Sequence, residues 1–148
     1  MAITQALCTS FKQQLMTATH NFTNPAGDTF KLALFRAQAS ISGTFGAGTT
    51  NYSDMGADEA SGTNYTAGGS ILSAVTPTTS GTTAYTDFAD LVFSTVTTTT
   101  SGALIYNSSK SNKAVCVLNF GGDKTATAGD LTIIFPTADA SSAIIRLT

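Results

Sequence analysis

Charge is scarce in this chain. Seven basic and nine acidic side chains serve 148 residues, 11% of the total, where soluble domains carry roughly 25%. With a net charge of -2 and its Lys and Arg scattered, the sequence excludes a nucleic-acid partner, because phosphate contact needs a basic stripe. Long apolar runs are missing too, and no stretch approaches the ~18 residues of a membrane span. The opening Met1-Ala2-Ile3-Thr4-Gln5-Ala6-Leu7 has neither a basic lead nor a long apolar centre, so it does not read as a secretory signal. Two cysteines, Cys8 and Cys116, stand far apart in apolar surroundings; they read as reduced, buried thiols rather than a disulfide framework.

Catalytic residue types are equally thin. His20 is the single histidine, with no serine elbow or neighbouring acid to make it a general base. Two thiols and one imidazole lack the spacing of a zinc site. Asp54, Asp58 and Glu59 cluster in a glycine-rich stretch, and Asp87 and Asp90 sit in Asp-Phe-Ala-Asp. Neither run has the Asp-x-Asp-x-Asp-Gly order of a calcium loop, so both read as turn formers and caps. Gly43-Thr44-Phe45-Gly46-Ala47-Gly48 lacks the Lys-Ser/Thr of a phosphate-binding loop and reads as flexible turn glycine. Lys110, Lys113 and Lys124 mark solvated turns. The expectation is no enzyme, no cofactor and no metal.

What the chain does have is hydroxyl: 27 Thr and 15 Ser. Burying a charge costs several kcal/mol unless it is paired, whereas a hydroxyl costs roughly 1–3 kcal/mol and is compensated by one hydrogen bond. Such a surface is suited to being covered by partners.

The length fits one domain over 1–148. Ile3, Leu7, Phe11 and Leu15 recur at i+4, with Thr4 placed as an N-cap, and predict a helix from about Gln5 to Thr17. After 20–27 the period changes to two. Thr29 to Ala37 reads as a strand, with Phe30, Leu32 and Leu34 on one face. Residues 40–69, rich in Gly, Thr and Ser, read as a surface excursion with Phe45, Tyr52, Met55 and Tyr65 as its large side chains. Further strands are predicted at Ser70 to Thr76, Thr82 to Phe88, Leu91 to Val96, Ala103 to Tyr106, Ala114 to Phe120, Leu131 to Phe135 and Ala143 to Leu147. Thr95 to Thr100 is assigned to a strand edge, and Gly121-Gly122-Asp123 to a turn. Ala114 to Phe120 is apolar on both faces and is expected to be central or covered by the helix. The spacing predicts a mainly β fold, an antiparallel sandwich or barrel with one N-terminal α-helix.

Several stretches carry a resemblance. The opening through Lys12, Asp28 to Leu34, Gly62 to Gly69, Gly102 to Asn107, Lys113 to Asp130, Phe135 to Asp139 and Ala143 to Arg146 are similar to a family of small structural proteins of tailed bacteriophages. The resemblance spans most of the chain and is poorest from Gln38 to Asn51. It implies a virion component, a capsid cement or decoration protein with a jelly-roll-like β-sandwich. Its implied partners are the major capsid protein and its own copies, as a homodimer or homotrimer, on the capsid surface of particles assembled in the host cytoplasm. Candidate interface residues are Phe45, Tyr52, Met55 and Tyr65 of the excursion, with Leu7 and Phe11 of the helix, since aromatic side chains are enriched at hot spots. Two other classes are a head- or tail-associated fibre or binding module, recognising a virion protein or host glycan, and a small hydrolase.

Overall fold

The computed structural model of the chain describes residues 3–36 and 44–148. The fold is mainly β, with antiparallel sheets and one N-terminal α-helix, as the period-two patterns predict. Strand β1 (Ala6–Leu7) leads into α1 (Thr9–Met16) and β2 (Phe30–Phe35). A 3-10 segment (Tyr52–Asp58), β3 (Gly62–Thr63), β4 (Ser70–Leu72), β5 (Thr78–Ser80) and β6 (Thr83–Thr86) follow. The long strands β7 (Leu91–Asn107) and β8 (Lys113–Ile133) precede β9 (Ile145–Leu147). The larger sheet runs β1-β8-β7-β2-β4, with β3 also on β7, and the smaller runs β5-β6-β9.

A group of phenylalanine rings packs against β2 in the core. Phe22 stacks on Phe30 with centroids 4.3 Å apart, and Phe88 lies 5.7 Å from both Phe30 and Phe135. Strand β2 is buried along nearly its whole length, because the sheet is covered on both sides. Ala114 to Val117 are likewise buried, flanked by β1 and β7 and covered by α1, the central position that two apolar faces require.

The helix is shorter than its periodicity predicts. Residues 6–7 pair in register with Val117 and Cys116, and Cys8, not Thr4, is the N-cap, without a side-chain capping bond. The open edge of β8 offers hydrogen bonds that a helix begun at Gln5 would have to forgo. Cys8 N–H completes that edge on Val115 O at 3.0 Å. The helix ends in a Schellman arrangement: Thr19 N–H reaches Gln14 O, Ala18 N–H reaches Leu15 O, and Ala18 takes φ 53°.

Pairs of predicted strands fuse. The stretches starting at Leu91 and Ala103 are one strand, joined through the threonine run, and those at Ala114 and Leu131 are another. Bulges make this continuity possible. Phe93 faces inward, Ser94 and Thr95 then share one partner position, and Thr95 takes φ 53°. The slip moves the inward set from odd to even numbers, so Val96, Thr98 and Thr100 are buried in turn. Asp130 Oδ1 accepts the Thr95 N–H that the bulge frees, at 2.9 Å. Gly121-Gly122-Asp123 does interrupt the ladder, but as a bulge. Ser101 alone lies between Thr100, paired with Lys124, and Gly102, paired with Asn119.

The excursion folds back against the sheet through two glycines. A Cβ on Gly62 would stand 1.8 Å from Thr97 O, and one on Gly69 1.8 Å from Leu32 O. The last residue of the predicted first strand, Ala37, and the first residues of the excursion, 40–43, lie outside the described residues.

Candidate functional site

One polar cluster belongs to the excursion. Glu59 Oε2 accepts the Tyr52 hydroxyl at 2.5 Å, while Oε1 accepts the Tyr65 hydroxyl at 2.9 Å and Gly68 N–H at 2.7 Å. Tyr65 Oη in turn accepts Leu34 N–H, at 2.8 Å, and Tyr106 Oη donates to Gly68 O at 2.7 Å. Tyr52 stacks on Tyr106 with centroids 4.8 Å apart. Burial, with the Glu59 charge beside it, pushes the Tyr106 phenol up to about 12, and the Tyr52 and Tyr65 phenols are raised for the same two reasons. These phenols stay protonated and donate. The cluster is a clasp that fastens 52–68 to β2 and β7.

A second network surrounds His20, which is 9% exposed. Its Nε2 lies 2.7 Å from Gln14 Oε1 and its Nδ1 2.9 Å from Asn107 Nδ2. Asn107 Nδ2 also donates to Asp28 Oδ2 at 2.8 Å, and Lys110 Nζ stands 3.6 Å from Asp28. Phe11 packs on the imidazole at a centroid distance of 5.0 Å. Burial holds His20 below the ordinary imidazole range, although Asp28 pulls the other way.

The thiols are held protonated. Burial pushes Cys8 up to about 11 and raises Cys116 as well, so neither supplies a ready thiolate. The short acids serve backbone. Asp54 accepts Thr50 and Asn51 N–H in a capping box with Asn51. Asp90 accepts Phe135 N–H at 2.8 Å. Asp87, wholly buried, accepts Phe88 and Ile144 N–H and fixes the C-terminal segment to the core. Among the described residues no three His, Cys, Asp or Glu side chains converge as metal ligands, and no helix is long and apolar enough to cross a membrane.

Three stretches of open surface among the described residues bear on function. An apolar cleft of about 470 Å³ lies between the end of α1 and the smaller sheet, lined among others by Leu15, Phe22, Pro77, Tyr85 and Ile145, with His20 in its wall. A groove of about 420 Å³ is lined by Arg36, Ser61, Thr97, Thr99, Asp123 and Thr125. Thr99 and Thr125 pair their hydroxyls across β7 and β8 at 2.9 Å. The outer face of the same two strands exposes Val92, Ser94, Thr97, Thr127 and Thr132, and Ile134 just beyond is 77% exposed.

The interface candidates lie mostly elsewhere. Phe45 and Met55 are each 2% exposed, Tyr65 is buried and Phe11 is wholly inaccessible. Leu7 and Tyr52 are partly buried and packed on the core. The expectation that the excursion displays these side chains is therefore corrected: large apolar groups in a polar loop bury themselves in the nearest core, here against Phe35 and Phe93. Sequence reading missed the Glu59 clasp, since tyrosines and an acid six or seven residues apart carry no periodic signal. No family model, curated protein or solved structure matches the chain.

Proposed function

We propose that the chain is a structural protein of a tailed-bacteriophage particle, a cement protein that bridges neighbouring major capsid protein subunits and binds alongside further copies of itself. The observation that carries this reading is the outer face of β7 and β8. It presents threonine and serine hydroxyls with exposed Val92 and Ile134, while Asp123 and Asp130 are among its few charges. That face sheds water cheaply, and a standard interface of about 1,600 Å², repeated over several shell subunits, gains strongly from multivalency. The resemblance of the sequence supplies the identity of the partner.

The test adds purified protein to shells that lack it and measures co-sedimentation, followed by a map of the decorated particle. Thr127→Lys and Thr132→Lys place charge on the outer face without touching the core. Each is expected to lower occupancy with an unchanged melting temperature. Wild-type occupancy in both variants, or no binding of the wild-type chain to shells, would defeat the proposal.

The groove of Arg36, Ser61, Thr97, Thr99, Asp123 and Thr125 favours a second reading as a binding module. Hydroxyls beside one cation and one anion match a polar ligand such as a glycan. A map placing the protein on a tail or fibre, with this groove facing outward, would support it.

A further inference from the structure

The protonation state of His20 is fixed by its partners. Asn107 Oδ1 accepts Ser109 N–H at 3.0 Å, and Nδ2 donates to the Asp28 carboxylate, which can only accept. Two independent partners thus set the orientation of the Asn107 amide, and its Nδ2 meets His20 as a donor. Nδ1 must accept, so the proton of the neutral ring sits on Nε2 and is donated to Gln14 Oε1. A second proton on Nδ1 would face Asn107 Nδ2, donor against donor. Turning the amide over would sacrifice its bonds to both Ser109 and Asp28.

These bonds join parts of the chain far apart in sequence. Gln14 lies on α1, Asp28 in the segment leading to β2, and Asn107 ends β7 at the turn into β8. The charged groups whose fields reach His20 are Asp28, which favours the cation, and Lys113 and Lys110, which oppose it. Lys12, the one charge of α1, is exposed, and β7 carries none. Lys31 of β2 falls on the opposite face from Phe30, whose ring lies 6.4 Å from the imidazole. The smaller sheet contributes Tyr85 to the cleft, and Arg146 of β9 is exposed and donates to Ser141 O.

We propose that this joint is an acid-sensitive latch: proton uptake at His20 breaks its bond to Asn107 and releases the end of α1 and residues 18–28 from the β7–β8 turn, uncovering the rings of Phe11 and Phe22 and widening the apolar cleft. The direction follows from linkage. A histidine whose folded value lies below its ordinary value of 6.5 favours the closed state fully above that pH. That advantage is lost as pH falls from 6.5 toward the folded value.

Hydrogen exchange on the full chain tests the latch. The Ala18, Thr19, Gly27 and Asp28 amides, bonded within the released part, report opening, and those of Leu32 to Leu34 in β2 serve as the internal reference. After correction for intrinsic rates, the opening constant of the first set should rise as pH falls below 6.5, with about tenfold per pH unit as the limit for one proton, while the reference stays flat. His20→Asn retains an acceptor at the Nδ1 position and does not titrate, so its profile should be level. Asp87, raised by burial, is common to both proteins and cancels in the comparison. A separate measurement needs no variant: nitrogen chemical shifts of the wild-type ring at neutral pH should show Nδ1 bare and Nε2 protonated. The opposite tautomer, or equal pH dependence in wild type and His20→Asn, would overturn the proposal.

Discussion

The Tyr65 hydroxyl stands between Leu34 and Glu59, accepting the buried strand amide at 2.8 Å and donating to the carboxylate at 2.9 Å. One oxygen therefore satisfies a backbone donor of β2 and anchors the clasp of the excursion. Tyr65→Phe leaves the ring packed on Phe93 but strands the N–H of Leu34, a wholly buried residue. An unsatisfied buried donor costs about 1–3 kcal/mol, and denaturant midpoints should fall accordingly. Tyr85→Phe, on the wall of the open cleft, should stay within about 0.5 kcal/mol of wild type.

The contrast between Tyr65 and Phe30 shows what the sequence made legible. Phe30, Leu32 and Leu34 share one face because side chains along a strand repeat every two residues, and Ala114 to Leu118 run apolar without a break because a strand covered on both faces needs no polar side. The mainly β class, strand β2 and the buried centre of β8 follow from those two patterns. Helix α1 was visible at its C-terminal half, where Phe11 and Leu15 cover β8. Its N-terminal half was not, because pairing of Ala6 and Leu7 with a strand over a hundred residues away leaves no local mark. The bulges at Thr95 and at Gly121 and Gly122 likewise depend on a partner strand, so two long strands looked like four short ones. His20 was recognised as a lone histidine, but its tautomer rests on Asn107 and Asp28, brought together by folding alone.

Gly69 and Gly48 should respond to alanine in opposite ways. Gly69 has φ 69°, and an added Cβ would overlap Leu32 O at 1.8 Å, so the excursion must lift off β2. Gly69→Ala should lower stability by more than about 2 kcal/mol. At Gly48 nothing lies within 4 Å of the new Cβ and φ is unexceptional. Gly48→Ala should be neutral or stabilising by up to about 1 kcal/mol, through a less flexible unfolded chain. Parallel urea titrations compare the two.

Ala18 is one of several non-glycine residues that take a positive φ, the conformation that favours glycine. It completes the Schellman end of α1 at φ 53°, a left-handed conformation that costs an L-residue roughly 1–2 kcal/mol. Ala18→Gly relieves that strain, offset in part by the greater freedom of glycine in the unfolded chain. A net gain of about 0.5–1 kcal/mol is expected, read as a higher melting temperature with the same circular dichroism spectrum.

Cys8 and Cys116 should be silent toward thiol reagents in the native protein. Both are buried, Cys8 is pushed up to about 11, and Cys116 is raised further by burial and by Cys8 itself. At pH 7.5 an aromatic disulfide reagent should label neither until denaturant is added, and then label both. Rapid labelling of either under native conditions would revive the hydrolase alternative, since it would show a thiolate poised for attack.

The excursion is part of the core, and this changes how its removal must be read. Phe45 and Met55 are each 2% exposed, and Phe45 lies 4.7 Å from Phe35, a wholly buried residue of β2. Truncating a buried Phe to Ala costs about 3–5 kcal/mol, and Met to Ala about 2–5, against a total stability of about 5–15 kcal/mol for a domain. Phe45→Ala or Met55→Ala alone should fold with a clearly lower denaturant midpoint, whereas the double variant should be largely unfolded at 25 °C by circular dichroism. Failure of an excursion deletion to bind shells would then report lost folding rather than a lost contact. Thr127→Lys and Thr132→Lys, on exposed positions of β8, separate the two, because they alter the outer face while leaving every buried side chain in place.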